Sequence, residues 1–200
     1  MTKIKLTKNE LKKQRDSLKQ FLHYLPTLQL KKQQLQMKIL QARKAIEEKL
    51  VLIKIIEEKI NRWVGLLAEL DMDLERWIAP AKVLTETVNI AGAEIPLFKE
   101  ARFNTVDYDF YAIPFWVDKA VAELQELAAA LAEVKVIKKQ IEILEHELRV
   151  TTQRVNLFEK VKIPECLENI RVIRIYLGDQ MANAVGISKV AKNKIAQVAV

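Results

Sequence analysis

The stretch ILQARKAIEEKLVLIKIIEEKI, residues 39–60, decides the fold of this 200-residue chain. Isoleucine recurs in it at every seventh position, at Ile39, Ile46, Ile53 and Ile60. Charged residues fill many of the positions between them, so an apolar stripe runs along one face of a helix. A strict seven-residue repeat is typical of a helix that supercoils along a partner helix.

The heptad extends far beyond this stretch. Stepping by seven from Leu11 and from Gln14 gives two rows of ten positions each, of which seventeen are apolar. The exceptions are Gln14, Lys32 and Lys49. The rows continue to Leu74 and Trp77, and Pro80 follows them. The pattern therefore predicts one long helix over residues 1–78, on the order of 100 Å in length.

A second heptad occupies the C-terminal part of the chain. One row contains Leu127, Val134, Ile141, Leu148 and Val155, and its companion contains Leu124, Leu131, Ile137, Leu144, Thr151 and Phe158. The step of six from Leu131 to Ile137 shifts the seam. Beyond Pro164 the apolar positions are Leu167, Ile170, Ile173, Leu177 and Met181. We predict a helix over residues 116–200, in which Pro164 causes a bend or local unwinding.

Residues 79–115 break the helical period. Residues 83–98, VLTETVNIAGAEIPLF, are rich in β-branched side chains on both sides of Gly92, which predicts a β-hairpin with its turn there. Pro96 limits the second strand to a sheet edge. An aromatic connector, RFNTVDYDFYAIPFW, follows, and Pro114 marks the start of the second helix.

These elements predict a mainly all-α fold, a long antiparallel two-helix coiled coil with a small β-hairpin between the helices. We expect one elongated unit, because each apolar seam can be buried only against the other. In this arrangement the two termini lie together at one end and the hairpin lies near the opposite end.

Charge is distributed unevenly along the chain, whose formal net charge is +7. Residues 1–60 carry +9, residues 61–126 carry −6 and residues 127–200 carry +4. Basic ends of this kind can contact nucleic acid, anionic lipid or an acidic protein surface.

Residues that carry catalytic chemistry are scarce. The chain has one cysteine, Cys166, and two histidines, His23 and His146, and its four glycines are isolated. We therefore expect a non-catalytic protein without cofactor or metal. The polar, basic N-terminus lacks the apolar run of a signal peptide, and no window is apolar enough for a membrane span, so we expect a cytoplasmic chain.

Three segments carry a resemblance to a known family. The stretch RVNLFEKVKIPECLENIRVIRIYL contains Arg154, Val155, Asn156, Glu159, Ile163, Pro164, Glu168, Ile170 and Ile173 in a characteristic order. The opening KLTKNELKKQRDSLK and the central VNIAGAEIPLF, with Asn89, Gly92, Ile95 and Pro96, add to it. The chain resembles the D subunit of V-type (A/V-type) ATPases, the shaft of the central stalk. It departs from the family at LQLKKQQ, where a Leu-Leu-Lys-x-Lys-Arg-Asp run is usual.

The resemblance implies a rotor shaft that transmits torque between ATP hydrolysis or synthesis and ion translocation. Its helix ends would lie inside the hexameric catalytic head of A and B subunits. Its hairpin end would bind the small F subunit of the central stalk and approach a funnel-like subunit linked to the membrane ring. The resemblance implies no nucleic acid, no membrane insertion and a peripheral position on the cytoplasmic face. The length favours a prokaryotic source.

Two residue sets follow from these expectations. The partner-binding set combines hairpin residues with connector aromatics, whose exposure would mark an interface: Val88, Asn89, Gly92, Ile95, Pro96, Phe98, Phe103, Tyr108, Phe110 and Tyr111. The shaft-motif set is Arg154, Val155, Asn156, Glu159, Ile163, Pro164 and Ile170.

Three alternatives remain open from the residues alone. The gamma subunit of F-type ATP synthases is also a coiled-coil shaft, but about 35 residues between the helices are too few for its α/β domain. A prefoldin-like chaperone subunit would assemble into a hexamer. A nucleic-acid-binding coiled-coil arm would bind with a steep salt dependence.

Overall fold

The computed structural model describes residues 4–69, 75–104 and 114–198. Its helices are α1 (Lys8–Ile60), a 3-10 helix (Val64–Glu69), α2 (Glu75–Ile78), α3 (Trp116–Leu157) and α4 (Ile163–Val198), with a π-helical turn (Phe158–Lys162) between α3 and α4. Its strands are β1 (Pro80–Ile90) and β2 (Ala93–Phe103), which form one two-stranded sheet. The mainly helical fold class with a single hairpin is confirmed.

The heptad of α1 is confirmed at the level of burial. Every predicted heptad position of α1, from Leu11 to Ile60, is buried or half-buried, including the two lysines Lys32 and Lys49. Most of the other positions of α1 are exposed. The repeat therefore marks the face that packs.

The predicted end of the first helix was wrong. The α-helix stops at Ile60 instead of residue 78, because the backbone tightens there: Arg62 N–H donates to Lys59 O and Trp63 N–H to Ile60 O. Bonds to the third preceding residue belong to a 3-10 helix. Trp63 and Leu67 stay half-buried, so the apolar repeat continues after the α-helix has ended.

The structure divides into two compact units. The central unit consists of Lys32–Val150, and the terminal unit consists of Met1–Lys31 with Thr151–Val200.

In the central unit, α1 and α3 pack antiparallel. Lys49 Nζ lies 2.7 Å from Glu133 Oε2, and Arg43 Nη2 lies 2.6 Å from Glu145 Oε1. Further along, Trp63 Nε1 donates to Glu123 Oε2 at 2.8 Å. As the residue number rises from Arg43 to Trp63, the residue number of the contacting α3 residue falls from Glu145 to Glu123. This order is the one that an antiparallel pair requires. The buried α3 side chains on this seam include Val134, Ile137 and Leu144.

Leu131 does not lie on the seam as predicted. Its side chain is 49% exposed, whereas the neighbouring Ala130 is half-buried. The six-residue step that the sequence shows between Leu131 and Ile137 is thus resolved by leaving Leu131 outside the packed face.

The hairpin folds along the helices of the central unit. Its turn residues Ala91 and Gly92 have φ of 51° and 81°, the left-handed pair that a two-residue hairpin turn requires. Beside the turn, Ala93 and Ile95 pack in one core cluster with residues of α1 and α3, namely Leu35, Ile39 and Leu144. The hairpin therefore packs along the helix pair of the central unit.

In the terminal unit the first part of α1 packs antiparallel to the end of α3 and to α4. Asn169 Nδ2 donates to Gln14 Oε1 at 3.4 Å, and the rings of Phe21 and Phe158 lie 4.9 Å apart. The fully or nearly fully buried side chains of this unit are Thr151, Val155, Cys166, Ile170 and Ile173.

The π-helical turn shows how the helix accommodates Pro164. Ile163 N–H donates to Phe158 O, five residues back, and Pro164 itself has no N–H to donate. The turn adds one residue to the helix, so that Cys166, Ile170 and Ile173 are buried while Leu167 is 53% exposed. The local unwinding predicted at Pro164 is confirmed, but the placement of Leu167 on the seam was wrong.

Candidate partner-binding surfaces

The apolar hairpin residues of the predicted partner-binding set face the helices of their own chain. Ile95 is 3% exposed, and Val88, Pro96 and Phe98 are half-buried. Pro96 C=O accepts a hydrogen bond of 2.5 Å from Nε2 of the buried Gln140. These contacts fix the hairpin to the central unit and leave its outward face mostly polar.

Asn89 and Gly92 shape the hairpin turn. The side chain of Asn89 accepts a hydrogen bond of 3.0 Å from Gly92 N–H, and both residues are exposed. Phe103 is half-buried at the end of β2. Tyr108, Phe110 and Tyr111 lie outside the described residues. The assignment of this set to a partner stays a prediction.

The shaft-motif set divides into buried and exposed members. Val155 and Ile170 are buried on the seam and Ile163 is half-buried. The exposed members are Arg154, Asn156, Glu159 and Pro164. The motif thus combines packing residues with a line of exposed polar residues around the π-helical turn.

An apolar strip on α1 is a surface that the heptad pattern did not predict. Val51, Leu52 and Ile55 lie on one side of the helix and are 46–59% exposed, whereas Leu50, 43% exposed, lies across the seam from them. The signal was present in the run LVLIKII, because the seam requires only Ile53 and Ile56 and the run carries four further apolar residues. Contiguous exposed apolar residues usually mark an interaction site.

Few titratable groups among the described residues have a shifted pKa. Burial, followed by the Glu165 carboxylate, raises the pKa of the Cys166 thiol, and Lys162 opposes this shift. The hydrogen bond from Arg171 lowers the pKa of Glu168 on the exposed face of α4. Neither group is arranged as a nucleophile beside a base.

The described residues offer neither a metal site nor a membrane span. They contain no group of three or more His, Cys, Asp and Glu side chains that could hold a metal ion. Within residues 4–69, 75–104 and 114–198, no helix combines the length and apolarity that a membrane crossing requires.

Comparison with known proteins gives a consistent result. The profile of the family described as the ATP synthase D subunit matches residues 10–193. The chain is 46% identical over 195 residues to the V-type ATP synthase D subunit of Borreliella burgdorferi, covering 98% of this chain and 96% of that protein. It is 32% identical to the protein of the same name from Chlamydia muridarum, covering 98% of both chains. It is 34% identical to that of Chlamydia pneumoniae, covering 96% and 93%. The chain belongs to the family of ATP synthase D subunits.

Proposed function

We propose that this chain is the non-catalytic rotor shaft of a rotary V-type ATPase or ATP synthase. It would turn inside the catalytic head of A and B subunits and pass torque to an ion-translocating ring in the membrane. The observation that carries the proposal is the heptad face of α1, which is buried or half-buried at every position from Leu11 to Ile60. The names of the bacterial relatives give the complex to which this helix pair would belong.

Torque transmission requires that twisting one end of the shaft turns the other end. Two helices that pack along a shared seam resist twisting better than one helix, because rotation of either disturbs the packing of both. In the central unit, the cross-helix pairs Lys49–Glu133 and Arg43–Glu145 add lateral links between α1 and α3. Such pairs, which stay partly in contact with water, contribute about 1 kcal/mol or less to stability, so the seam dominates.

The central unit also supports a docking role. We place the F subunit, the small partner expected from the family, on the apolar strip of Val51, Leu52 and Ile55. Leucine and valine side chains in contiguous exposure favour a partner that covers them. The same proposal includes the connector beyond Phe103 as part of the docking site and the funnel-like subunit as a neighbour of the hairpin end. The complex would lie on the cytoplasmic face of the membrane as a peripheral assembly.

The coupling role is tested in the reconstituted complex. Ile141 and Leu148 are half-buried and pack against the core cluster of the central unit. Replacing both by Asp places two carboxylates in an apolar seam and separates α1 from α3. We expect ATP hydrolysis to persist while the number of ions pumped per ATP falls. The matched control is Lys138→Asp with Lys139→Asp, two exposed positions of the same helix.

The two outcomes are distinct. Loss of pumping in the seam variant but not in the control supports the shaft. Full coupling in a variant whose helices have separated, as judged by circular dichroism and cross-linking, would contradict it.

The docking role is tested by co-purification with the small F subunit. Val51→Glu with Ile55→Glu puts charge on the apolar strip, and we expect the one-to-one complex to be lost. The control is Gln36→Glu with Gln41→Glu, which adds the same charge at exposed polar positions of α1. A complex that survives in the strip variant, yet is lost on deleting residues 79–115, would place the F subunit on the hairpin and connector instead.

Two alternatives from the sequence make different predictions. A prefoldin-like subunit would purify as a hexamer, and a nucleic-acid-binding arm would bind RNA with steep salt dependence. The family membership favours the shaft over both.

A further inference from the structure

A groove in the terminal unit is lined by apolar side chains that the seam leaves uncovered. It lies between α1 and α4 and is an open groove with a volume of about 650 Å³. The apolar lining consists of Leu18, Leu22, Leu167, Ile170 and Ile175. Leu22, Leu167 and Ile175 are each 53% exposed, so the groove presents a hydrophobic floor to its surroundings.

Four cations frame this floor, and we call the whole the basic groove. Arg15 and Lys19 lie one turn apart on α1, and Arg171 and Arg174 lie one turn apart on α4. Arg171 is paired with Glu168, at 2.7 and 2.9 Å. Within the described part of the chain, the other three cations form no ion pair.

We propose that the basic groove receives an acidic amphipathic helix from a partner protein. A third helix is the shape that fits a concave surface between two antiparallel helices, with its apolar ridge on the floor. Carboxylates on either side of that ridge would face the cations from α1 and α4. From Arg15 to Leu22 the groove spans about 11 Å of helix, so the contact covers about two turns of the partner.

The apolar floor decides between kinds of anionic partner. A nucleic acid would neutralise the cations but leave three half-exposed aliphatic side chains without an apolar partner. A bilayer surface is broad and cannot enter a concavity between two helices. An acidic amphipathic helix satisfies the floor and the rim together.

The identity of the occupant as a ring subunit rests on the proposed function, whereas its chemistry rests on the basic groove alone. If the shaft turns inside the head, a ring subunit that offers such a helix would engage the groove. The contact would then differ among the subunits, because one groove faces one direction at a time.

The occupant is identified by cross-linking in the native complex. A benzoylphenylalanine at Leu167 lies in the groove, and one at Val161, which is 48% exposed and outside the groove lining, is the matched control. We expect Leu167, but not Val161, to cross-link to a helical segment of a ring subunit with carboxylates flanking apolar residues. A cross-link to a segment without carboxylates, to lipid or to nucleic acid, or no cross-link within an intact complex, overturns the inference.

A chain that enters no such complex would contradict the proposed function, and a peptide titration then decides the groove. The probe is a fluorescent amphipathic helical peptide with a leucine ridge flanked by glutamates, added to the purified full chain. Arg15→Glu with Arg174→Glu is expected to weaken binding by about tenfold or more, and to create binding of the same peptide with lysines in place of glutamates.

The control reverses the same number of charges outside the groove. Lys12 and Lys13 are exposed on α1 and do not line it, so Lys12→Glu with Lys13→Glu is expected to change binding by about twofold at most. Equal weakening in both variants would show that only net charge matters and would overturn the inference. Groove-dependent binding of phosphatidylserine vesicles or single-stranded RNA, with no binding of the peptide, would also overturn it.

Discussion

Inserting an alanine between Lys160 and Val161 tests whether the π-helical turn keeps the seam of the terminal unit in register. The turn already accommodates one extra residue, and Lys160 and Val161 are both exposed within it. If the turn cannot accommodate a second extra residue, every residue after it rotates by about 100° around the helix axis. Cys166, Ile170 and Ile173, which are 5%, 7% and 0% exposed, would then leave the seam.

The size of the effect follows from burial. Exposing a buried isoleucine loses about 1.5–3 kcal/mol, so Ile170 and Ile173 together lose about 3–6 kcal/mol. This loss is a large part of the whole stability of a typical domain, which is about 5–15 kcal/mol. We therefore expect α4 to separate from α1 in this unit.

The assay is thiol labelling, because Cys166 is the single cysteine of the chain. The parent protein is expected to react slowly with a thiol reagent, and the insertion variant to react almost as fast as the chain in denaturant. Deleting Lys160 from the insertion variant gives Lys160→Ala, which restores the residue count and changes the side chain without changing the register. This control should restore protection and keep the parent rate.

The reasoning is refuted if the insertion variant is as protected as the parent and keeps its circular dichroism. Pro164→Ala separates the two causes of the turn. If the spacing of buried residues requires the extra residue, this variant keeps Cys166 protected. If the proline alone imposes the turn, α4 rotates and labelling accelerates.

Three further predictions concern stability. Leu144→Ala removes a side chain that is 1% exposed and should lower the free energy of unfolding by about 2–5 kcal/mol in thermal or denaturant melts. Met37→Ala, at a 61% exposed position, should change it by less than about 0.5 kcal/mol. Equal effects of the two substitutions would place Leu144 outside the core. Gly92→Ala puts a Cβ at φ 81° and should destabilise the hairpin by about 1 kcal/mol, with an unchanged melt arguing against the left-handed turn. Because burial raises the pKa of the Cys166 thiol, the folded state favours the protonated form, so the thiol contributes stability at neutral pH that is lost as pH rises through the raised pKa. Thermal melts from neutral to alkaline pH should therefore fall more steeply for the parent than for Cys166→Ala, and parallel curves would contradict this.

The long helices could be predicted from the sequence because their packing repeats. Each heptad position of α1 is covered in the same way, by the seam of a neighbouring helix. Even Lys49 is half-buried at its heptad position, where it pairs with Glu133. The hairpin turn was predictable for a local reason, since Gly92 readily adopts the positive φ that the turn demands.

The failures depend on tertiary contacts. The α-helix ends at Ile60 although the apolar repeat continues, and Trp63 beyond it donates a hydrogen bond to Glu123, sixty residues away, a contact that no local pattern shows. Cys166, Ile170 and Ile173 lie on the seam because the π-helical turn accommodates an extra residue, which no local pattern shows either. The apolar strip of Val51, Leu52 and Ile55 was visible as surplus apolar residues, but only the structure shows which of them the chain leaves exposed.

Rotation of this chain within an assembled complex tests the shaft role most directly. A cysteine introduced at the exposed Thr87, in a Cys166→Ala background, can carry a bead while the catalytic head is fixed to a surface. Our account predicts that adding ATP drives continuous rotation of the bead in one direction. A bead that stays fixed relative to the head while ATP is hydrolysed would contradict it.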